Sequence, residues 1–120
     1  MGIRTISACA AALLVAALCP LSAVAANAEF PSKPVRFIVP FPPGGTVDPL
    51  ARLIGSRLSN ALGQQFIVDN RTGGSGTIGT GIAAKSNPDG YTYVFVFDTH
   101  AVNPALIPNL PFDTLKDLSP

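Results

Sequence analysis

The chain has 120 residues, 48% of them hydrophobic and 12% charged, with a formal net charge of +1, two cysteines and one histidine. So little charge excludes the basic footprint of a nucleic-acid-binding protein and the polybasic attraction that draws proteins to anionic membranes. Two cysteines are too few for a disulfide-stapled scaffold, and a lone histidine provides no zinc ligand set.

The first residues set the compartment. Arg4 supplies a positive head, residues 8–18 (ACAAALLVAAL) form a short apolar body, and small residues follow up to Ala28. This is the layout of a secretory signal peptide, and the apolar body is shorter than the roughly 20 residues of a membrane-spanning helix. Residues 1–28 are therefore expected to be removed near Ala28, with Ala23-Val24-Ala25 as the second choice of cleavage site, and the periplasm is the expected destination. Neither cysteine suits a lipoprotein: nearly all of the apolar body follows Cys9 where it should precede it, and Cys19 follows Leu18 where a small residue is needed. Loss of the leader removes both cysteines and Arg4, leaving seven basic and seven acidic side chains.

In the remaining chain, residues 29–120, Val35-Arg36-Phe37-Ile38-Val39 is nearly all apolar or β-branched between two prolines. That pattern predicts a strand buried on both faces of a parallel sheet. Phe41-Pro42-Pro43-Gly44-Gly45 can be neither helix nor central strand. A helix is expected to start with Asp48 as N-cap and Pro49 in its first position, or with Thr46 as the cap. Its apolar face would hold Val47, Leu50, Ala51, Ile54, Leu58, Ala61 and Leu62, and Gly63 would end it. The cycle repeats with a strand at 66–68, a glycine-rich loop at 69–76, and a helix at 77–85 with Ile78, Ile82 and Ala83 inward. A turn at 87–90, a third strand at 91–97 and a polar loop from Asp98 that enters a short helical turn complete the series. The closing residues 117–120 read as the opening of another helix, so the chain is expected to continue beyond them.

Strands alternating with helices imply parallel pairing through right-handed crossovers. Every strand-to-helix loop then lies at the carboxyl edge of the sheet, where α/β folds bind ligands. That edge gathers residues 40–46, 70–77 and 98–103, the segments richest in glycine and hydroxyl groups.

The first of these loops either holds an anion on converging backbone amides before a helix N-terminus or is simply a rigid elbow. In the second, Gly74-Ser75-Gly76-Thr77-Ile78-Gly79 matches the dinucleotide fingerprint, and Asp98 closes the next strand as its acidic partner would. An exported chain, a preceding loop of equal elaboration and the flanking Thr72-Gly73 and Thr80-Gly81 favour carboxylate binding instead; a purely structural glycine loop is the third reading. Arg71 can pair with a ligand acid or with Asp69 or Asp98, and the structural role is preferred. Thr99, His100 and Asn103 are candidates for ligand contact or loop bracing. Ser75 lacks the neighbours of a nucleophile, no carboxylates pair for acid–base work, and no cofactor is indicated, so the chain is not expected to be an enzyme.

The run from Phe30-Pro31-Ser32-Lys33-Pro34 through Val35 to Gly45, then Asp48 and Ala51-Arg52, resembles the tripartite tricarboxylate transporter substrate-binding proteins, also called Bug receptors. The likeness continues through Asn70-Arg71, Pro88-Asp89-Gly90-Tyr91-Thr92, Thr99-His100-Ala101-Val102-Asn103-Pro104 and Leu110-Pro111-Phe112-Asp113. It implies an α/β periplasmic binding protein fold, a parallel sheet with helices on both faces, of which this chain supplies the first part of domain one. It also implies a receptor that closes two domains on a small carboxylate and delivers it to membrane subunits of the transporter or, in a variant, touches a sensor protein. On that pattern Phe41, Pro42, Gly44, Gly45, Thr46 and Asp48 form the first binding loop, Gly74, Ser75 and Gly76 the second, and Thr99, His100 and Asn103 the third. The competing class is an exported, Rossmann-like dinucleotide-dependent oxidoreductase fragment.

Overall fold

A computed structural model describes residues 29–120; the expected leader and its cleavage site lie outside the described residues. Three strands, β1 (Val35–Val39), β2 (Phe66–Asn70) and β3 (Thr92–Val94), form a parallel sheet in the order β2-β1-β3. Three helices accompany them: α1 (Val47–Leu62), α2 (Thr77–Ala84) and α3 (Thr99–Leu106). β1 is the central strand because its side chains are apolar to both sides: Val35, Phe37, Ile38 and Val39 are all buried.

Successive residues of a strand face opposite sides of the sheet, and this places the helices. On one side Gly55 of α1 approaches both Phe66 and Phe37, and Val47 and Ala51 pack on Val39. On the other, Gly79 of α2 lies against Pro40. Helices therefore cover both faces, the arrangement that right-handed crossovers impose on this strand order.

Several elements differ from expectation for identifiable reasons. β3 ends at Val94 rather than 97. The amide of Phe95 still donates to the carbonyl of Ile38 at 2.9 Å, but the next donor in register would be residue 40, and proline has none. β2 extends two residues further than expected, to Asn70, since Val39 and Asn70 still pair in register. α1 begins at Val47 with Thr46 at the N-cap position, so Asp48 and Pro49 sit inside the first turn. Proline is tolerated there because amides of the first turn have no helical acceptor. Its buried face is Val47, Ala51 and Gly55, while Leu50 and Leu62 are exposed.

Gly63 ends α1 as expected, donating to Ser59. In α2 it is Thr77, Gly79, Thr80 and Gly81 that are buried; Ile78 faces out over Gly73 and is half exposed. Small residues face inward because the helix approaches the sheet too closely for larger ones. Residues 117–120 form no helix: Asp117 instead closes a turn, its carboxylate accepting from the amide of Asp113 at 2.7 Å.

Candidate ligand site

The carboxyl edge is assembled around Asp48. Its carboxylate, 4% exposed, accepts from the Gly44 amide at 3.0 Å, Arg52 Nε at 3.0 Å and Asn70 Nδ2 at 2.9 Å. Asn70 Nδ2 also donates to the carbonyl of Phe41 at 3.1 Å, and Arg52 reaches Asn70 Oδ1 at 3.1 Å. The bond from Arg52, with those from Gly44 and Asn70, holds the Asp48 carboxyl at about 2, well below the usual range. The double-proline loop is thus fastened to the end of β2 by one carboxylate. Asn70 was the connector that sequence reasoning missed as a structural residue. Its signal is positional: in a parallel sheet the last residue of β2 stands beside the end of β1.

Arg71 pairs with Asp69 at 3.0 Å, as preferred from sequence, and Arg36 of β1 reaches the same carboxylate through Nε at 2.8 Å. Partial burial pushes the Asp69 carboxyl up, but the hydrogen bonds from Arg36 and Arg71 outweigh it and leave it below its ordinary value. Both arginines nearest the loops, Arg52 and Arg71, are therefore held by acidic residues of the chain itself.

The glycine loop runs through consecutive left-handed residues: Gly73 at φ 123°, Gly74 at 55°, Ser75 at 53° and Gly76 at 88°. A side chain rarely tolerates this conformation, which accounts for glycine at every one of these positions except Ser75. Two threonines brace the turn, Thr77 Oγ1 donating to the Gly74 carbonyl at 2.7 Å and Thr80 Oγ1 to that of Gly76 at 2.8 Å. Gly79 then leaves no room for a Cβ, which would stand 2.6 Å from the Arg71 carbonyl and 2.9 Å from Pro40 Cα.

The candidate residues of the first and second loops adjoin directly: the Phe41 ring lies where a Cβ on Gly76 would touch it. The third segment joins through two contacts. Phe97 packs on Phe41 with ring centroids 5.3 Å apart, and Asn103 Nδ2 donates to the Ser75 carbonyl at 3.3 Å. Thr99, His100 and Asn103 all belong to α3 rather than to a loop. Asn103 is buried and braces the glycine loop, whereas His100 stacks on Phe112 at 6.0 Å, with no partner for its buried Nδ1 among the described residues.

Among the described residues, the amides of Thr46 in the first loop, of Val47 at the start of α1, and of Gly74 and Ser75 in the second loop have no protein acceptor. Neither α1 nor α2 has a side-chain cap, so both N-termini present unpaired donors and the positive ends of their dipoles. α3 differs, since Asp98 Oδ1 accepts from the Thr99 amide at 2.8 Å. A concavity of about 1030 Å³ lies apart from these donors, between α3 and residues 107–115, with a mostly apolar lining.

The sheet order bears on the fingerprint in residues 74–79. The strand that ends near Asp98 is not the neighbour of the fingerprint strand, because β1 lies between β2 and β3. In a dinucleotide fold the acidic residue that meets the ribose ends the adjacent strand.

The profile of the tripartite tricarboxylate transporter family receptor matches residues 50–120. This chain belongs to that family. Protein BugT of Bordetella pertussis is 44% identical over 93 residues, covering 76% of this chain and 28% of BugT. Among solved structures, the periplasmic binding protein BugD is 33% identical with a TM-score of 0.72, the match covering 76% of this chain and 30% of BugD. MatC of Rhodopseudomonas palustris, solved with bound malate, is 37% identical with a TM-score of 0.71 over 76% of this chain and 31% of MatC. The chain thus spans less than a third of the length of each of these relatives. The α/β sheet with helices on both faces is the fold of periplasmic binding proteins in this family, whose members are substrate-binding receptors.

Proposed function

We propose that this chain is the leading part of the first domain of an exported, two-domain receptor. In the periplasm the receptor captures a small carboxylate and hands it to membrane subunits of a tripartite transporter. Its residues bind and orient; none performs catalysis, and no cofactor takes part. Residues 1–28 serve as the cleaved leader.

The observation that carries this reading is the set of unaccepted amides at Thr46, Val47, Gly74 and Ser75, gathered at one sheet edge beside arginines that are already paired with carboxylates of the chain. An acid group settling there completes hydrogen bonds that the fold leaves open and meets the positive ends of two helices. Such bonds to a carboxylate are charge-assisted and stronger than neutral ones. Phe41, Pro42, Gly44 and Gly45 shape the first loop, Asp48 fixes it, Gly76 admits the Phe41 ring, and Asn103 holds the second loop from below. Thr99 and His100 bound the third side. The malate bound to MatC carries acid groups of the kind proposed for these loops. On this reading the loops form one wall of a cleft, and the second domain supplies the other wall and excludes water on closure.

Isothermal titration of the complete receptor against mono-, di- and tricarboxylates tests the proposal, with NAD as the competing ligand. Saturable binding of at least one acid and none of NAD is expected. Binding of NAD alone would overturn it. Residues 29–120 by themselves are expected to show no measurable affinity, and micromolar binding by them would contradict the two-walled cleft.

A further inference from the structure

We propose that Asp98 determines which carboxylates the receptor prefers, favouring an acid that also carries an ammonium group over the plain dicarboxylate of equal length. The inference rests on the carboxylate reading above and names the second chemical feature of its ligand.

Three acidic residues stand where the strands deliver the chain to the carboxyl edge: Asp48, Asp69 and Asp98. Asp48 is paired with Arg52 at 3.0 Å, and Asp69 with Arg71 at 3.0 Å and with Arg36. Asp98 has no basic side chain within 4.0 Å among the described residues. It is exposed, and among the described residues its side chain has one hydrogen bond, Oδ1 accepting from the Thr99 amide, with no partner for Oδ2. Of the three charges at this edge it alone is uncompensated.

Its place beside the first two loops is fixed from both sides. Phe97, the preceding residue, packs on Phe41 of the first loop, and Asn103, one turn into α3, bonds Ser75 of the second. A ligand whose acid group takes the amides of those two loops therefore lies in the field of the Asp98 carboxylate. Capping also removes the α3 N-terminus as an anion site, since its leading donor is already spent on the chain's own carboxylate. Two helix ends invite negative charge and the third repels it. An ammonium group on the ligand answers that third end, whereas a further carboxylate meets repulsion.

The charge can be separated from the cap, because asparagine caps a helix about as well as aspartate does. The complete receptor and its Asp98→Asn variant are titrated calorimetrically with matched pairs: succinate and aspartate, glutarate and glutamate, adipate and 2-aminoadipate. In the pair that binds, the variant should lower the affinity ratio of amino acid to plain acid by about tenfold, with an unchanged melting temperature. An unchanged ratio, with both proteins still binding acids, overturns the inference and leaves the carboxylate receptor intact. Binding of no acid in the panel by the wild-type receptor overturns the proposed function and this inference with it.

Discussion

The β1–α1 corner and the β3–α3 corner each place an aspartate at the start of a helix, and the two residues lead opposite lives. Asp48 is buried, accepts three hydrogen bonds and has its charge neutralised by Arg52. Asp98 is exposed, accepts one bond and keeps its charge. The first is part of the frame that holds backbone amides in place, and the second is free to interact with whatever those amides hold. The residue type is the same, but Asp48 sits inside the first turn of α1 and Asp98 caps α3, and their neighbours differ as well. Asn70 at the end of β2 meets Asp48 from the side, while among the described residues no side chain bonds Asp98 in this way.

The sharpest way to break the first corner is from beneath. Gly79→Ala pushes a Cβ into the Arg71 carbonyl and the Pro40 backbone, and should destabilise the receptor by about 3 kcal/mol. Chemical unfolding measures it, and an unchanged midpoint would show that α2 does not pack flush on Pro40. Next in size, Asp48→Ala leaves Arg52 and Asn70 without their acceptor and should lower the melting temperature by several degrees.

The same residue gives a pH signature. Its carboxyl sits at about 2 in the folded state against an ordinary 3.8, so the unfolded chain binds the proton more readily. Its contribution to stability is therefore complete above about pH 4 and lost as pH falls from there towards 2. Asp48→Asn should flatten that part of the stability curve. A smaller effect is expected at the tip of the first loop. Gly44 has φ 78° with open space around it, so Gly44→Ala should cost about 1 kcal/mol through backbone strain alone. The smallest belongs to the second corner: Asp98→Ala should cost about 1 kcal/mol or less by removing a cap, and Asp98→Asn essentially nothing in thermal melts.

Much of the frame was legible because it is written in local patterns. β1 has the predicted bounds, Gly63 ends α1, and strands alternating with helices gave the parallel sheet and its loop-bearing edge. The departures are tertiary. Nothing within residues 91–97 reports that the partner strand runs into Pro40, so the length of β3 was set by another segment's missing donor. Hydrophobic periodicity turned Ile78 inward, yet the close approach of α2 to Pro40 admits only glycine and threonine there. Asp48 and Asn70, 22 residues apart, meet only because the strands are in register. At the candidate site, the sequence marked the loops that carry the donors. Which amides remain unaccepted depends on how each loop bonds to itself and to its neighbours.

A crystal structure of the complete receptor with a bound carboxylate tests the central claim most directly. The account predicts carboxylate oxygens within about 3 Å of amides in the double-proline loop and in the glycine turn, with Arg52 still on Asp48 and Arg71 still on Asp69. An acid gripped by either arginine, or seated away from both loops, would contradict it.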